Sequence, residues 1–173
     1  MIIDVYSYVE NEFYSEESKL DFEDLFKIMN EAFITYYDEY GAFFRHCHRI
    51  IKYILENISD QNIAQNLLGM LRANLSEEML LLLFYNSCFT NAGLGLGIKL
   101  QKLNFFADKN DLVDKTMHFN SSRTLIPKNG TKSVEYDIIQ NFFIKDNNKI
   151  YATNDDFKKE IKRTYTNFFS KEN

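Results

Sequence analysis

The chain has 173 residues, a length typical of one domain built around one hydrophobic core. Its formal net charge of −5 at pH 7 excludes a general polyanion-binding protein, unless a local basic patch is present. A single proline and six glycines favour long helices over a turn-rich β fold.

The two cysteines, Cys47 and Cys88, do not have the spacing of a metal site. Two thiols in a chain with a large core are typical of a reducing cytosol, where both are buried as small apolar side chains. The first residues lack a basic stretch followed by a long apolar segment, so no secretory signal is expected. The sequence therefore predicts a cytoplasmic protein with no membrane insertion, no metal and no cofactor.

Amphipathic helices are predicted through the first half of the chain. Residues 1–17 are aromatic and acidic, and we expect a short helix or an extended arm docked on the core. Apolar residues then recur at steps of three and four, which predicts helices over about 19–39, 42–58 and 60–72. The break between the first two of these helices is expected near Gly41.

Residues 76–91 are predicted to form the buried centre of the fold. The run Met79–Tyr85 is entirely apolar or aromatic, and a helix that is apolar all round must be surrounded by protein or lipid. The run is far shorter than the roughly 18 apolar residues that span a bilayer, which favours a protein core. Ser76 is the expected N-cap, and two glutamates follow in the first turn, where the helix dipole favours negative charge.

The segment Asn91–Gly97 contains three glycines at a spacing of two. They do not have the order of a nucleotide-binding loop, so we expect a helix C-cap and connector. Apolar periodicity predicts three further helices, over about 97–107, 109–117 and 155–169. A small β-hairpin is predicted near 142–152. The predicted fold is all-α, a single helical bundle over 1–173.

A basic stripe lies on the outer face of the predicted helix 42–58. It consists of Arg45, His48, Arg49 and Lys52, which fall within about 100° of arc around the helix axis. Such a surface can bind a phosphate group or an RNA backbone. The alternative is a solvated face whose charges pair with acidic residues of neighbouring helices, and both interpretations stay open.

A second group of candidate residues surrounds the start of the central helix. Arg72 lies beside the buried core and must find carboxylate or carbonyl acceptors there. Glu78 is the predicted partner in an ion pair that joins two helices, or else a group that orients one of the reacting residues of an enzyme. The other candidate binding residues near this helix are Asn74, Tyr85 and Asn86.

Three segments between Tyr40 and Lys109 carry a recognisable pattern: Phe43–Ile54, Leu71–Ser76 and Leu80–Asn86. They resemble the phage abortive infection proteins of the AbiC type. The first is similar to the family's Tyr/Phe-Phe-Arg helix, the second to Leu-Arg-Ala-Gln-Leu-Ser, and the third to Leu-x-Leu-Leu-Phe-Tyr-Asn. The order and spacing of the three segments also agree with the family.

The resemblance implies a bacterial defence protein that halts phage multiplication at the cost of the infected cell. Met79 stands where the family usually has glutamate, and Glu78 lies one residue earlier. The helical build and the arginine-containing motif are similar to those of HEPN ribonucleases. Their Arg-x4–6-His signature is absent, because neither Arg45 nor Arg72 has a histidine at that spacing.

Two functional hypotheses follow. The favoured one is a helical sensor or effector that binds a phage or host component and forms a homo-oligomer. The alternative is an RNA-directed nuclease or phosphate-handling toxin, in which Arg45 and Arg72 bind phosphate and Glu78 orients one of the reacting groups. His48 would then act as acid and base, since its unperturbed pKa is about 6.5.

Overall fold

The computed structural model describes residues 7, 21–113, 119, 124–126, 133–146 and 149–170. These residues form seven α-helices, one π-helix and no strand, which confirms the predicted all-α fold. The helices are α1 (Phe22–Thr35), α2 (Tyr37–Asn57), α3 (Gln61–Ala73), α4 (Glu77–Phe89), α5 (Leu94–Leu100), α6 (Val134–Ile138) and α7 (Asn154–Ser170). The π-helix Ile139–Phe143 continues α6. The predicted arm at 1–17 lies outside the described residues except for residue 7.

Helix α4 is the buried centre of the fold, as predicted. Ten consecutive residues, 80–89, are buried, and α4 contacts α1, α5 and α7. Ser76 caps the helix, because its Oγ accepts a hydrogen bond from the Met79 backbone N–H at 3.2 Å. The ring of Phe84 packs against the rings of Phe106 and Phe119, with centroids at 5.4 and 5.1 Å. The central helix therefore holds residues of the second half of the chain by aromatic packing.

The break between α1 and α2 lies at Tyr36 rather than near Gly41. The Tyr36 backbone N–H still bonds to the Ala32 carbonyl, and Tyr37 then begins a second helix. Gly41 is buried inside α2, where a Cβ atom would lie 2.9 Å from the ring of Tyr37. The missing side chain at Gly41 therefore leaves room for the ring of Tyr37 in the same helix.

The glycine segment is partly helical, which corrects the predicted connector. Helix α5 begins at Leu94, so two of the three glycines lie within it. A Cβ atom on Gly93 would overlap the Asn86 carbonyl oxygen, and one on Gly97 would meet the Ser87 carbonyl oxygen at 2.5 Å. The missing side chains let α5 pack directly against the backbone of α4.

The predicted helix 97–107 ends at Leu100, and residues 101–107 are irregular. Lys102 and Asn104 adopt positive φ angles of 61° and 52°. Their backbone N–H groups donate to the carbonyls of Phe142 and Phe143, at 3.2 and 3.0 Å. These bonds to the π-helix replace the ones that a continued helix would have made.

The predicted hairpin near 142–152 is wrong for the residues that the structure describes there. Phe142 and Phe143 end the π-helix, residues 149–152 form no strand, and residues 147–148 lie outside the described residues. The Gln101 side chain bonds to both the N–H and the carbonyl of Tyr151, at 3.0 and 2.9 Å. A side-chain amide thus satisfies backbone groups that a partner strand was expected to pair with.

The two remaining predicted helices differ in outcome. The predicted helix 155–169 is confirmed as α7, capped by Thr153, whose Oγ1 accepts from the Asp156 N–H at 3.1 Å. Of the predicted helix 109–117, residues 109–113 form turns, and the rest lies outside the described residues.

None of the described helices is by itself long and apolar enough to cross a membrane. Helices α4 and α5 meet the length and composition requirement only as a pair, and they are bent by 107° relative to each other.

Candidate functional site

A pocket of about 260 Å³ lies between α1, α2 and the turn that joins α4 to α5. Apolar and aromatic side chains line most of it: Phe33, Ile34, Tyr37, Phe44, Ala92 and Leu96. Its polar side chains are Asn30, Arg45, His48, Asn86 and Thr90. The pocket therefore brings together three residues that the sequence predicted as candidates, Arg45, His48 and Asn86.

Helix α2 presents Arg45 and His48 to the pocket together, because residues three apart share a helix face. Arg45 is exposed but fixed in orientation by Tyr37, two turns earlier on the same helix. Its Nη1 donates to the Tyr37 hydroxyl at 2.5 Å, and its guanidinium lies 5.3 Å from the centroid of the Tyr37 ring. The hydroxyl and ring of Tyr37 thus orient the cation at the pocket.

His48 is half-buried at the same pocket. Burial lowers the pKa of its imidazole, and the nearby Lys99 and Lys52 lower it further, against a smaller opposing effect of Glu56. At neutral pH the ring is therefore mainly uncharged, with one N–H donor and one acceptor nitrogen. Arg45 supplies the positive charge of the pocket.

Asn86 and Thr90 hold the turn between α4 and α5 in shape. The Asn86 Nδ2 donates to Thr90 Oγ1 at 3.2 Å, and Thr90 Oγ1 donates to the Asn86 carbonyl at 2.8 Å. The Gly93 N–H also donates to Thr90 Oγ1, at 3.1 Å. These two side chains thus form one wall of the pocket, and their hydrogen bonds hold that wall in position.

Arg49 and Lys52, the other two residues of the basic stripe, are exposed and do not line this pocket. Lys52 lies 3.9 Å from Glu56, one turn along α2. The four residues of the stripe therefore divide into a pair at the pocket and a pair on the solvated surface.

Arg72 pairs with a carboxylate that the sequence did not indicate. Its Nη1 lies 3.3 Å from Asp111 Oδ2 and donates to the Asn104 carbonyl at 3.2 Å. Among the described residues, these contacts to the irregular segment after α5 are the ones seen for Arg72, and the predicted ion pair with Glu78 is not among them. Arg72 does not line the pocket, and Asn74 is an exposed residue whose Nδ2 bonds to the Met70 carbonyl at the end of α3.

Tyr85 belongs to a buried network inside the core rather than to the pocket. Its hydroxyl donates to Glu135 Oε1 at 2.9 Å and accepts from the Leu125 N–H at 2.7 Å. Glu135 is fully buried and also accepts from the Ile126 N–H at 3.2 Å. Sequence reasoning did not identify Glu135, because a glutamate in the first turn of a helix normally faces solvent.

The residues that line the pocket all lie between Asn30 and Leu96, in the first two thirds of the chain. Residues 35–111 match a family described as "putative phage abortive infection protein". The match confirms the predicted resemblance and covers less than half of the chain. Comparison with curated proteins and with solved structures finds no match.

The abortive infection match begins at the last residue of α1 and extends through α5. It includes every residue that lines the pocket except the three from α1, Asn30, Phe33 and Ile34. The segment that resembles abortive infection proteins is thus also the segment that builds most of this site.

Proposed function

We propose that the protein acts in anti-phage defence by abortive infection, and that it binds a phage or host component at the pocket between α1, α2 and the α4–α5 turn. One observation carries this proposal: the abortive infection match contributes Arg45, His48 and Asn86 to a single pocket. An arginine held by an aromatic ring at a concave, mostly apolar site is suited to recognition.

The alternative of a nuclease or phosphate-handling toxin has less support. It required Arg45, His48, Arg72 and Glu78 to act on one phosphate, within hydrogen-bond reach of the reacting atoms. Arg72 is instead engaged by Asn104 and Asp111. Arg72 does not line the pocket that contains Arg45 and His48. We therefore favour binding over catalysis for this site.

Phage protection in cells carrying single variants tests the proposal. Arg45→Gln and His48→Gln should lose protection in a plating assay while melting at the wild-type temperature. Arg49→Gln is the matched control, since Arg49 is an exposed arginine on the same helix outside the pocket. Full protection by both pocket variants, or equal loss in Arg49→Gln, would contradict a role for the pocket.

RNA cleavage separates the two functions. Purified protein is incubated with total and transfer RNA, and we expect no cleavage. Cleavage by the wild type that is abolished in Arg45→Gln and His48→Gln would favour the nuclease instead.

The cytoplasmic location and the homo-oligomer remain part of this proposal. Outside the pocket, helix α2 carries two large apolar side chains that are exposed, Ile50 at 44% and Tyr53 at 65%, as a surface between copies would require. Light scattering of the purified protein should give a mass above that of one chain, and a strict monomer would count against the oligomer.

A further inference from the structure

We infer that the pocket between α1, α2 and the α4–α5 turn binds a small amphipathic anion, an apolar or aromatic body that carries one phosphate or carboxylate group. The inference rests on the proposed function, because it names the ligand class of the same pocket. Three properties of the pocket determine this class: its size, its charge and the state of its polar groups.

The size of the pocket selects a small ligand. Its volume of about 260 Å³ lies just below the roughly 300–1,000 Å³ typical of drug-sized sites. The faces that a ligand body would contact are aromatic and aliphatic, including Phe33, Phe44 and Leu96. At the pocket, Ile34 is 73% exposed and Tyr37 is 49% exposed, so a bound apolar body would also cover side chains now in contact with water.

The charge of the pocket selects an anion. Arg45 is the one charged side chain among the residues that line it, and none of them is acidic. Arg45 makes no ion pair with any described residue, and its one hydrogen bond, to Tyr37, leaves other guanidinium donors available. A guanidinium beside an apolar cavity binds a carboxylate or phosphate more strongly than in open water, and the half-buried His48 can add a hydrogen bond.

The polar groups of the pocket wall select an apolar body over a sugar. Asn30 donates to the Phe26 carbonyl and accepts from the Asn91 N–H, at 2.6 and 2.9 Å. The Thr90 hydroxyl is likewise already hydrogen-bonded, to Asn86 and to the Gly93 N–H. Because these groups are already paired, they offer little to the hydroxyls of a ribose, which would lose water without replacement.

Calorimetric titration with four small molecules tests the ligand class. Phenyl phosphate and benzoate are the amphipathic anions, inorganic phosphate lacks the apolar body, and benzyl alcohol lacks the charge. We expect both aromatic anions to bind at least about tenfold more tightly than the other two. Arg45→Gln should weaken the anions by about 10- to 100-fold, as expected for a charge-assisted hydrogen bond, and leave benzyl alcohol unchanged.

A pair of glycine substitutions provides the steric control. Gly95 lines the pocket, and a Cβ atom there would meet nothing within 4 Å, so we expect Gly95→Leu to occupy part of the pocket. Gly69 in α3 has equally open surroundings and does not line the pocket. Gly95→Leu should abolish anion binding, and Gly69→Leu should bind like the wild type.

Four results would overturn the inference: no binding of either aromatic anion to the folded protein, inorganic phosphate or benzyl alcohol binding as tightly as the anions, an unchanged affinity in Arg45→Gln, or equal losses in the two leucine variants. Phage protection by Gly95→Leu separates this failure from failure of the proposed function. If Gly95→Leu loses protection although the wild type binds neither anion, only the ligand class is refuted. If the wild type binds the anions and Gly95→Leu keeps full protection, only the function of the pocket is refuted.

Discussion

At the scale of single residues, Glu135 is the most unusual side chain in the described part of the protein. It is fully buried, and burial raises the pKa of its carboxyl group to about 7, against the smaller effect of hydrogen bonds from Tyr85 and Ile126. Its Oε2 has no hydrogen-bond partner among the described residues. A protonated carboxyl group is the form that this apolar surrounding tolerates best.

The raised pKa of Glu135 makes stability depend on pH. The folded state binds the proton more tightly than the unfolded state, whose pKa is near 4.5. The free energy of unfolding should therefore fall as the pH rises from about 4.5 through 7, in total by on the order of 3 kcal/mol. Glu135→Gln keeps an acceptor for Tyr85 and Ile126 but does not titrate.

Melting curves between pH 5 and pH 8 check this prediction. The decline in melting temperature with rising pH should be clearly steeper in the wild type than in Glu135→Gln. Parallel pH profiles for the two proteins would show that this carboxyl group is not the source of the dependence.

At the scale of elements, the packing of α5 against α4 depends on glycines at particular positions. Gly97 is buried between the Ser87 carbonyl and the ring of Phe157, so α5 sits between α4 and α7. Gly95 lies in the same helix but faces open space. The two positions are therefore a matched pair, one where a side chain collides and one where it does not.

Alanine at these two positions should change stability in opposite directions. Gly97→Ala places a methyl group 2.5 Å from the Ser87 carbonyl oxygen and should destabilise by about 1–3 kcal/mol, as overpacking does. Gly95→Ala should stabilise by about 0.5–1 kcal/mol, because alanine is a better helix former than glycine. Chemical denaturation measures both, and a Gly97→Ala protein as stable as the wild type would contradict the close approach of α5 to α4.

At the scale of the whole molecule, contacts distant in sequence close the bundle around α4. Lys162 of α7 lies 2.8 Å from Glu23 of α1, which joins the last described helix to the first. Arg72 links the end of α3 to Asp111 in the segment after α5. Both ion pairs are partly exposed, so each is expected to add only modestly to stability.

The Arg72–Asp111 contact yields a prediction that separates structure from function. Arg72→Gln and Asp111→Asn should each lower the free energy of unfolding by about 1 kcal/mol and should keep phage protection. The change in the double variant should differ from the sum of the two single changes, because both substitutions remove the same contact. Melting temperatures and plating efficiencies measure the two effects. Loss of protection in Arg72→Gln at wild-type stability would contradict this and indicate that Arg72 belongs to the functional site.

The sequence by itself determined the features that depend on neighbouring residues along the chain. The uniformly apolar run Met79–Tyr85 predicted the buried central helix, and Ser76 was correctly expected as its cap. The three-and-four spacing predicted α2 and placed Arg45 and His48 on one face, which the structure brings to one pocket. Whether these two residues act in defence stays a prediction.

Only the tertiary structure decided which distant groups meet. Arg72 and Asp111 are 39 positions apart, and Tyr85 and Glu135 are 50 apart, so no local pattern could pair them. Position 97 requires a glycine because a carbonyl and a ring from two other elements occupy the space that a side chain would need. Such contacts depend on how whole helices pack, whereas helix propensity, capping and amphipathic periodicity depend on residues within a few positions of each other.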